Sequence, residues 1–260
     1  MLLRRRSLFA LVLLGAGSCL LVAQNPTPSQ APAASQTPQA AKPLPPTDPS
    51  NRSKDPDRWA QLDRFRDANA KLPADAPGRV VFYGDSITEG WPKRSGFFPG
   101  KAYVNRGISG QTTSQMVMRL QQDVIDLHPA AVVILAGIND IAQNQGPISM
   151  EDIEANLSSM ILRSQAAGIH VIMTSVLPAA DFPWRKGLQP APKVQQLNAW
   201  LSAFCAQHHV TYVDYYSAMA DADGGMKPGL SSDGVHPTAQ GYAIMEPLAE
   251  AAIESTLAAK

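Results

Sequence analysis

The stretch Arg79-Val80-Val81-Phe82-Tyr83-Gly84-Asp85-Ser86-Ile87-Thr88-Glu89-Gly90-Trp91 decides the fold. After Arg79, Val80 to Tyr83 form a short apolar run rich in β-branched and aromatic side chains, the pattern of a strand buried on both faces. Gly84 and Asp85 then turn the chain into a segment of helical character, so the run reads as strand, turn, helix. The same alternation recurs downstream. Ala102–Asn105, Ala131–Ala136, Ile169–Ser175 and Val210–Asp214 read as further strands, each separated from the next by a longer amphipathic segment.

The intervening segments carry helix signals. Ser149-Met-Glu-Asp152 is a capping box ahead of Ile153, Leu157, Met160 and Ile161, and Gly168 supplies the stop. Met116, Leu120, Val124 and Leu127 repeat the helical spacing before His128-Pro129, as do Val194, Leu197, Leu201, Phe204, Cys205 and His208. A first helix is expected near Asp57–Lys71 and a last one from Pro237, a residue suited to a first helical position. Strands separated by helices require right-handed crossovers, which place helices on both faces of a parallel sheet. The expectation is an α/β domain of three layers, α/β/α, around a five-stranded parallel sheet.

The chain has 260 residues, 45% hydrophobic and 17% charged, with 22 Lys+Arg against 22 Asp+Glu. A balanced charge offers no basic field for phosphates, so nucleic acid is not an expected partner. Met1-Leu-Leu-Arg-Arg-Arg6 followed by an apolar run to Val22 has the pattern of a secretory signal peptide, with cleavage expected after Ala23. Ala16-Gly17-Ser18-Cys19 is a degenerate lipoprotein box, so anchoring at Cys19 is the minority alternative. Residues 24–56, rich in Pro, Ala and Gln, hold too little apolar surface to offset ordering entropy and read as a disordered linker. The domain is then residues 57–260. Export to the periplasm or medium, with no stable membrane span in the mature form, is expected.

In parallel sheets of this kind ligands bind outside the carboxyl ends of the strands. After the first strand Ser86 stands at a strand-to-helix turn, where it is either a nucleophile or the cap of the next helix. After the second, Asn105-Arg-Gly-Ile-Ser-Gly110 is a tight turn able to present a backbone N–H. Asn139, in Gly137-Ile-Asn-Asp140, either donates to a developing oxyanion or holds a loop. Asp233 precedes His236 by three residues, a catalytic pair or a structural hydrogen bond. Together these supply what acyl transfer needs: a nucleophile, a base, an orienting acid and oxyanion donors.

These blocks resemble those of the SGNH hydrolases, also called the GDSL lipase/esterase family, from about Val80 to Tyr242. Gly84-Asp85-Ser86-Ile87 stands where the family has Gly-Asp-Ser-Leu, Gly137-Ile138-Asn139-Asp140 matches its Gly-x-Asn-Asp block, and Asp233 to His236 its Asp-x-x-His block. The resemblance implies a flavodoxin-like sheet, a Ser86, His236, Asp233 triad, and an oxyanion hole made by the N–H groups of Ser86 and Gly110 with the Asn139 side chain. It implies an esterase with no cofactor and no metal, acting on a small-molecule or glycan ester. The Gly-x-Ser-x-Gly elbow of α/β-hydrolases is absent, since position 88 is Thr. The alternatives kept open are a non-catalytic carbohydrate-binding module on the same fold and an acyltransferase to a sugar hydroxyl.

Other features carry less. Asp221-Ala-Asp223-Gly224-Gly225 begins like a calcium loop but lacks a closing Glu and reads as a turn. Cys205 lies on an apolar helical face and is expected to pack. The aromatic loop after the fourth strand, with Phe182, Trp184 and Arg185, forms with Trp91 either a substrate wall or a self-packed loop.

Overall fold

The computed structural model describes residues 56–74 and 76–259, so the expected signal peptide, the Cys19 anchor site and nearly all of the linker lie outside the described residues. The five expected strands form at β1 (Val80–Gly84), β2 (Tyr103–Gly107), β3 (Ala131–Leu135), β4 (His170–Thr174) and β5 (Thr211–Val213). They make one parallel sheet in the order β2-β1-β3-β4-β5. Interior β1 pairs in register on both sides, Val80 opposite Tyr103 and Ala131, and all five of its residues are buried. That explains its unbroken apolar run: both faces are covered, so no position is free to be polar.

On one face lie α4 (Thr113–Asp123), α6 (Met150–Ala166) and α7 (Pro190–Gln207). On the other lie α3 (Ser86–Arg94), the short α8 (Tyr215–Met219) and α9 (Ala239–Ala258). Ser149 caps α6 as its sequence suggests, its Oγ accepting the Asp152 N–H at 3.0 Å. Thr238, not a helical Pro237, starts α9 by accepting the Gly241 N–H.

The single helix expected near 57–71 is two five-residue pieces, α1 (Pro56–Ala60) and α2 (Arg66–Ala70). Tertiary partners explain the break. The carbonyl oxygens of Trp59 and Ala60, which would accept from the next helical turn, instead accept from Gln115 Nε2 at 2.7 Å and Gln111 Nε2 at 2.8 Å. Gln61 between the two pieces is left-handed, with φ of 54°.

Between β1, α3 and α9 lies an aromatic cluster. Phe82 is centred 5.5 Å from Trp91, 5.2 Å from Phe97 and 5.1 Å from Phe98, and Trp91 lies 5.0 Å from Tyr242. Burying a side chain of this size contributes about 1.5–3 kcal/mol, and the cluster fixes α3, with its first residue Ser86, against the sheet.

Candidate active site

Ser86 is the first residue of α3, directly beyond the end of β1. A Cβ on Gly84 would meet Thr88 Oγ1 at 2.1 Å and the Leu135 carbonyl at 2.8 Å, so only glycine lets the helix begin this close to the strand. The helix is capped by Asp85, whose Oδ1 accepts the Ile87 N–H at 2.9 Å. Ser86 is therefore not the cap, and its hydroxyl is free for another use. It lies 2.9 Å from His236 Nε2.

His236 comes from the loop before α9, where one carboxylate organises the turn. Asp233 Oδ1 accepts the N–H groups of Val235 at 2.9 Å and His236 at 2.8 Å, while Oδ2 lies 2.6 Å from His236 Nδ1. A carboxylate facing Nδ1 places the proton there, which leaves Nε2 as an acceptor toward the Ser86 hydroxyl. Partial burial pushes Asp233 up, but the His236 N–H, the His236 ring and the Val235 N–H outweigh it and hold the carboxyl at about 2.

Two further sequence-expected donors border the same strand ends. Gly110, half-buried beyond β2, has a φ of 76°, which favours glycine and turns the chain back toward α4. The Ser86 N–H is one of those a helix leaves unpaired in its first turn. Asn139 is buried in the short α5 (Ile138–Ile141), and acceptor-only partners fix its amide: Nδ2 donates to Asp85 Oδ2 at 3.2 Å and to the Gln111 carbonyl at 3.0 Å. Asn139 Oδ1 accepts from Asn144 Nδ2 at 2.7 Å. Both amide protons are thus engaged, and donation to an oxyanion means sharing one of them or releasing the longer bond to Asp85.

The model of the GDSL-like lipase/acylhydrolase family matches residues 82–244, which include every site residue just described, from Gly84 to His236. The chain belongs to this family. It is similar to the crystal structure of a GDSL-like lipase from Bacteroides thetaiotaomicron, 44% identical, with a TM-score of 0.73 over 75% of this chain and 98% of that one. Esterase TesA of Pseudomonas aeruginosa is 26% identical over 134 residues, 52% of this chain, and the match spans 60% of the length of TesA. An acetylxylan esterase of Geobacillus stearothermophilus is 24% identical over 202 residues, 64% of this chain and 90% of that protein.

Beneath the strand ends of this GDSL-like domain lies a buried polar layer that the sequence did not announce. Arg119 of α4 is wholly buried. It donates to the carbonyls of Gly84 and Arg106, each at 2.9 Å, and to Asp123 Oδ2 at 3.1 Å. Its Nε reaches Gln111 Oε1 at 2.5 Å. Asp140, next to Asn139, accepts Thr113 Oγ1 at 2.7 Å and the Thr113 N–H at 2.9 Å, tying α5 to the start of α4. Burial pushes Asp140 up to about 6 despite the Thr113 bonds, and Asp85 up to about 7 despite the Ile87 N–H and the charge of His236. A buried Arg or Gln on a helix gives no sign in a single sequence of what it will meet.

The aromatic residues divide. Trp91 is 1% exposed, its ring in the aromatic cluster and its Nε1 donating to Glu246 at 3.0 Å, so it is core and not substrate wall. Helical spacing explains why: Ile87, Thr88 and Trp91 share the buried face of α3, opposite the face that carries Ser86. Phe182 is likewise fully buried and anchors its own loop. Of the three aromatic residues expected there, only Trp184 reaches His236, 39% exposed and with its ring centred 5.9 Å from the imidazole. It rests on Phe182 at 5.3 Å, and its Nε1 donates to Asn144 Oδ1 at 3.2 Å. Arg185 is half-buried at the turn, its N–H on the Phe182 carbonyl at 3.1 Å.

Asp221 forms a turn, Oδ1 accepting the N–H groups of Asp223 and Gly225. Cys205 is buried, its thiol pushed up to about 12 by burial. Beside Ser86 and His236 an open cavity of about 400 Å³ runs along α3.

Proposed function

We propose that this protein is an exported serine esterase that hydrolyses short-chain acyl esters, with O-acetylated carbohydrate as its substrate class. The observation that carries the reading is the line Ser86 Oγ to His236 Nε2 at 2.9 Å and His236 Nδ1 to Asp233 Oδ2 at 2.6 Å. Nucleophile, base and orienting acid are already within hydrogen-bond reach.

In the reaction His236 Nε2 takes the Ser86 proton as Oγ attacks the ester carbonyl. Asp233 holds the tautomer and stabilises the imidazolium. The oxyanion is held by the N–H groups of Ser86 and Gly110 and by the Asn139 amide. His236 then protonates the departing alcohol, leaving an acyl group on Ser86. Water, deprotonated by the same nitrogen, releases the acid and restores the hydroxyl.

The acetylxylan esterase relative supports an acetylated sugar as substrate. An open cleft suits short acyl groups better than long chains, which need a covered apolar tunnel. Export is supported by the basic and apolar leader Met1 to Ala23, and no helix among the described residues is long and apolar enough to cross a membrane.

The deciding measurement is release of nitrophenol from 4-nitrophenyl acetate by the wild-type chain and by Ser86→Ala. The variant is expected to fold as the wild type does and to lose kcat by about 10⁶-fold, the scale seen when a serine triad loses its nucleophile. A variant as active as the wild type would overturn the mechanism.

A further inference from the structure

On α3 the residues following Ser86 at helical spacing are Glu89, Gly90, Lys93 and Arg94, and these line the 400 Å³ cavity together with Ser86 and His236. The nucleophile thus stands at one end of a groove and Lys93 at the other, with the Arg94 guanidinium along the wall between them. Seven residues at a rise of 1.5 Å place Lys93 about 10 Å along the helix axis from Ser86. The floor between them is open because position 90 is glycine. A Cβ there would already stand 3.3 Å from Tyr242 Oη, and a larger side chain would fill the passage.

The charge of the groove is not balanced. Glu89, the acid in its lining, is engaged: Oε1 pairs with Arg64 Nη2 at 3.0 Å and Oε2 accepts the Ser109 N–H at 2.8 Å. The nearby Asp233 is held by His236 and its own loop. Lys93 and Arg94 are exposed, and neither has a carboxylate partner among the described residues. Arg94 Nη1 instead donates to the Pro237 carbonyl at 3.2 Å, which holds the guanidinium at the wall beside His236.

We propose that this groove binds an anionic group on the alcohol part of the ester, so that the substrate is the acyl ester of an acidic glycan. The inference rests on the reading of Ser86 as the nucleophile of a short-chain esterase. A short acyl group on Ser86 cannot span the distance to Lys93, whereas the sugar that carries it can. A carboxylate of a uronic acid and a sulfate ester offer the same anionic oxygens, and both suit a lysine and an arginine that approach from one helix.

The test is competitive inhibition of 4-nitrophenyl acetate hydrolysis by three oligosaccharides of equal length: an oligouronate, a sulfated one, and the carboxyl-reduced neutral counterpart of the first. At least one anionic oligosaccharide is expected to bind about 3- to 20-fold more tightly than the neutral one, the range of two exposed charge pairs. Added salt should erase the difference. In Lys93→Glu combined with Arg94→Gln the preference should vanish or invert. Whichever anion is preferred identifies the source of the charge. Equal inhibition by all three, or a preference that survives in the double variant, overturns the inference while the esterase reading stands. Failure to hydrolyse the chromogenic ester at all would remove both.

Discussion

Arg119 Nη2 donates to the carbonyl oxygen of Gly84 at 2.9 Å, joining the middle of α4 to the residue two positions before Ser86. The same guanidinium holds the Arg106 carbonyl near the end of β2 and the Gln111 side chain next to Gly110, and lies over the Tyr83 ring at 4.2 Å. One buried cation thereby ties together the two strand ends that precede Ser86 and Gly110.

Replacing Arg119 by Met should therefore affect both stability and rate. It leaves Asp123, 1% exposed, buried without its charge partner, a loss of about 3–5 kcal/mol for a broken buried pair. Arg119→Lys keeps the charge but not the planar fork, so its urea midpoint should fall between those of Met and wild type. Of the residual rate, kcat should fall more than KM rises. A Met variant with the wild-type midpoint would show that the buried pair contributes nothing net.

Asn144 is expected to act through Asn139. Its Nδ2 fixes the Asn139 Oδ1, and its own Oδ1 is held by Trp184 Nε1. Asn139→Ala should lower kcat by about 10²- to 10³-fold, the usual loss for one oxyanion donor. Asn144→Ala leaves the donor present but less constrained, and should lower kcat by about tenfold or less with little change in KM. Steady-state kinetics of the two variants and their double would test this. Equal kcat for Asn144→Ala and wild type would mean that Asp85 and the Gln111 carbonyl suffice to hold the amide.

The parts of this molecule that were legible in sequence are those where a local pattern has a single physical outcome. A five-residue apolar run such as Val80–Gly84 between turn signals becomes a buried strand, and Ser149 three residues before Asp152 becomes a cap. Ser86 was legible as a candidate because strand ends are where a parallel sheet exposes side chains, whereas Asp233 and His236, which lie beyond α8, were marked by their three-residue spacing and their resemblance to the family's Asp-x-x-His block. What was not legible depends on partners distant in the chain. The helix expected at 57–71 is interrupted because Gln111 and Gln115 take its carbonyls from more than fifty residues away. Trp91, open in the sequence between substrate wall and packing, is settled as core by its phase on α3.

That phase gives a paired prediction for the two tryptophans. Trp91→Ala empties a site inside the aromatic cluster and should cost about 3–5 kcal/mol in unfolding free energy. Trp184→Ala removes a ring that is 39% exposed, and should change stability far less while raising KM for 4-nitrophenyl acetate or for the proposed glycan ester. Denaturation curves beside Michaelis kinetics separate the cases. A large KM effect with intact stability at Trp91 would restore it to the substrate wall.

Stability should depend on pH through Asp140. Its carboxyl, 1% exposed, is pushed by burial from 3.8 up to about 6 in the native state. Between pH of about 4 and 6 the unfolded chain has therefore released this proton while the folded one retains it. Fewer protons on the unfolded state mean that stability falls as pH rises through that window, and the loss is complete above the native value. About two units correspond to a contribution on the order of 3 kcal/mol. Asp140→Asn cannot titrate. It keeps one acceptor for the Thr113 hydroxyl or N–H and loses the other, a cost that does not depend on pH. The stability difference between wild type and variant should thus be largest near pH 4 and shrink, or change sign, by pH 7. Asp85 titrates in both proteins near 7, and because the charge of Asp140 is one of the causes that raise it, its contribution differs between them above pH 6, so pH 4 to 6 is the window that isolates Asp140. Urea unfolding of both proteins at pH 4, 5, 6 and 7 measures this directly. Parallel stability curves would show that Asp140 is ionised in the native state at the same pH as in the unfolded chain, and that its Thr113 bonds offset the whole of its burial.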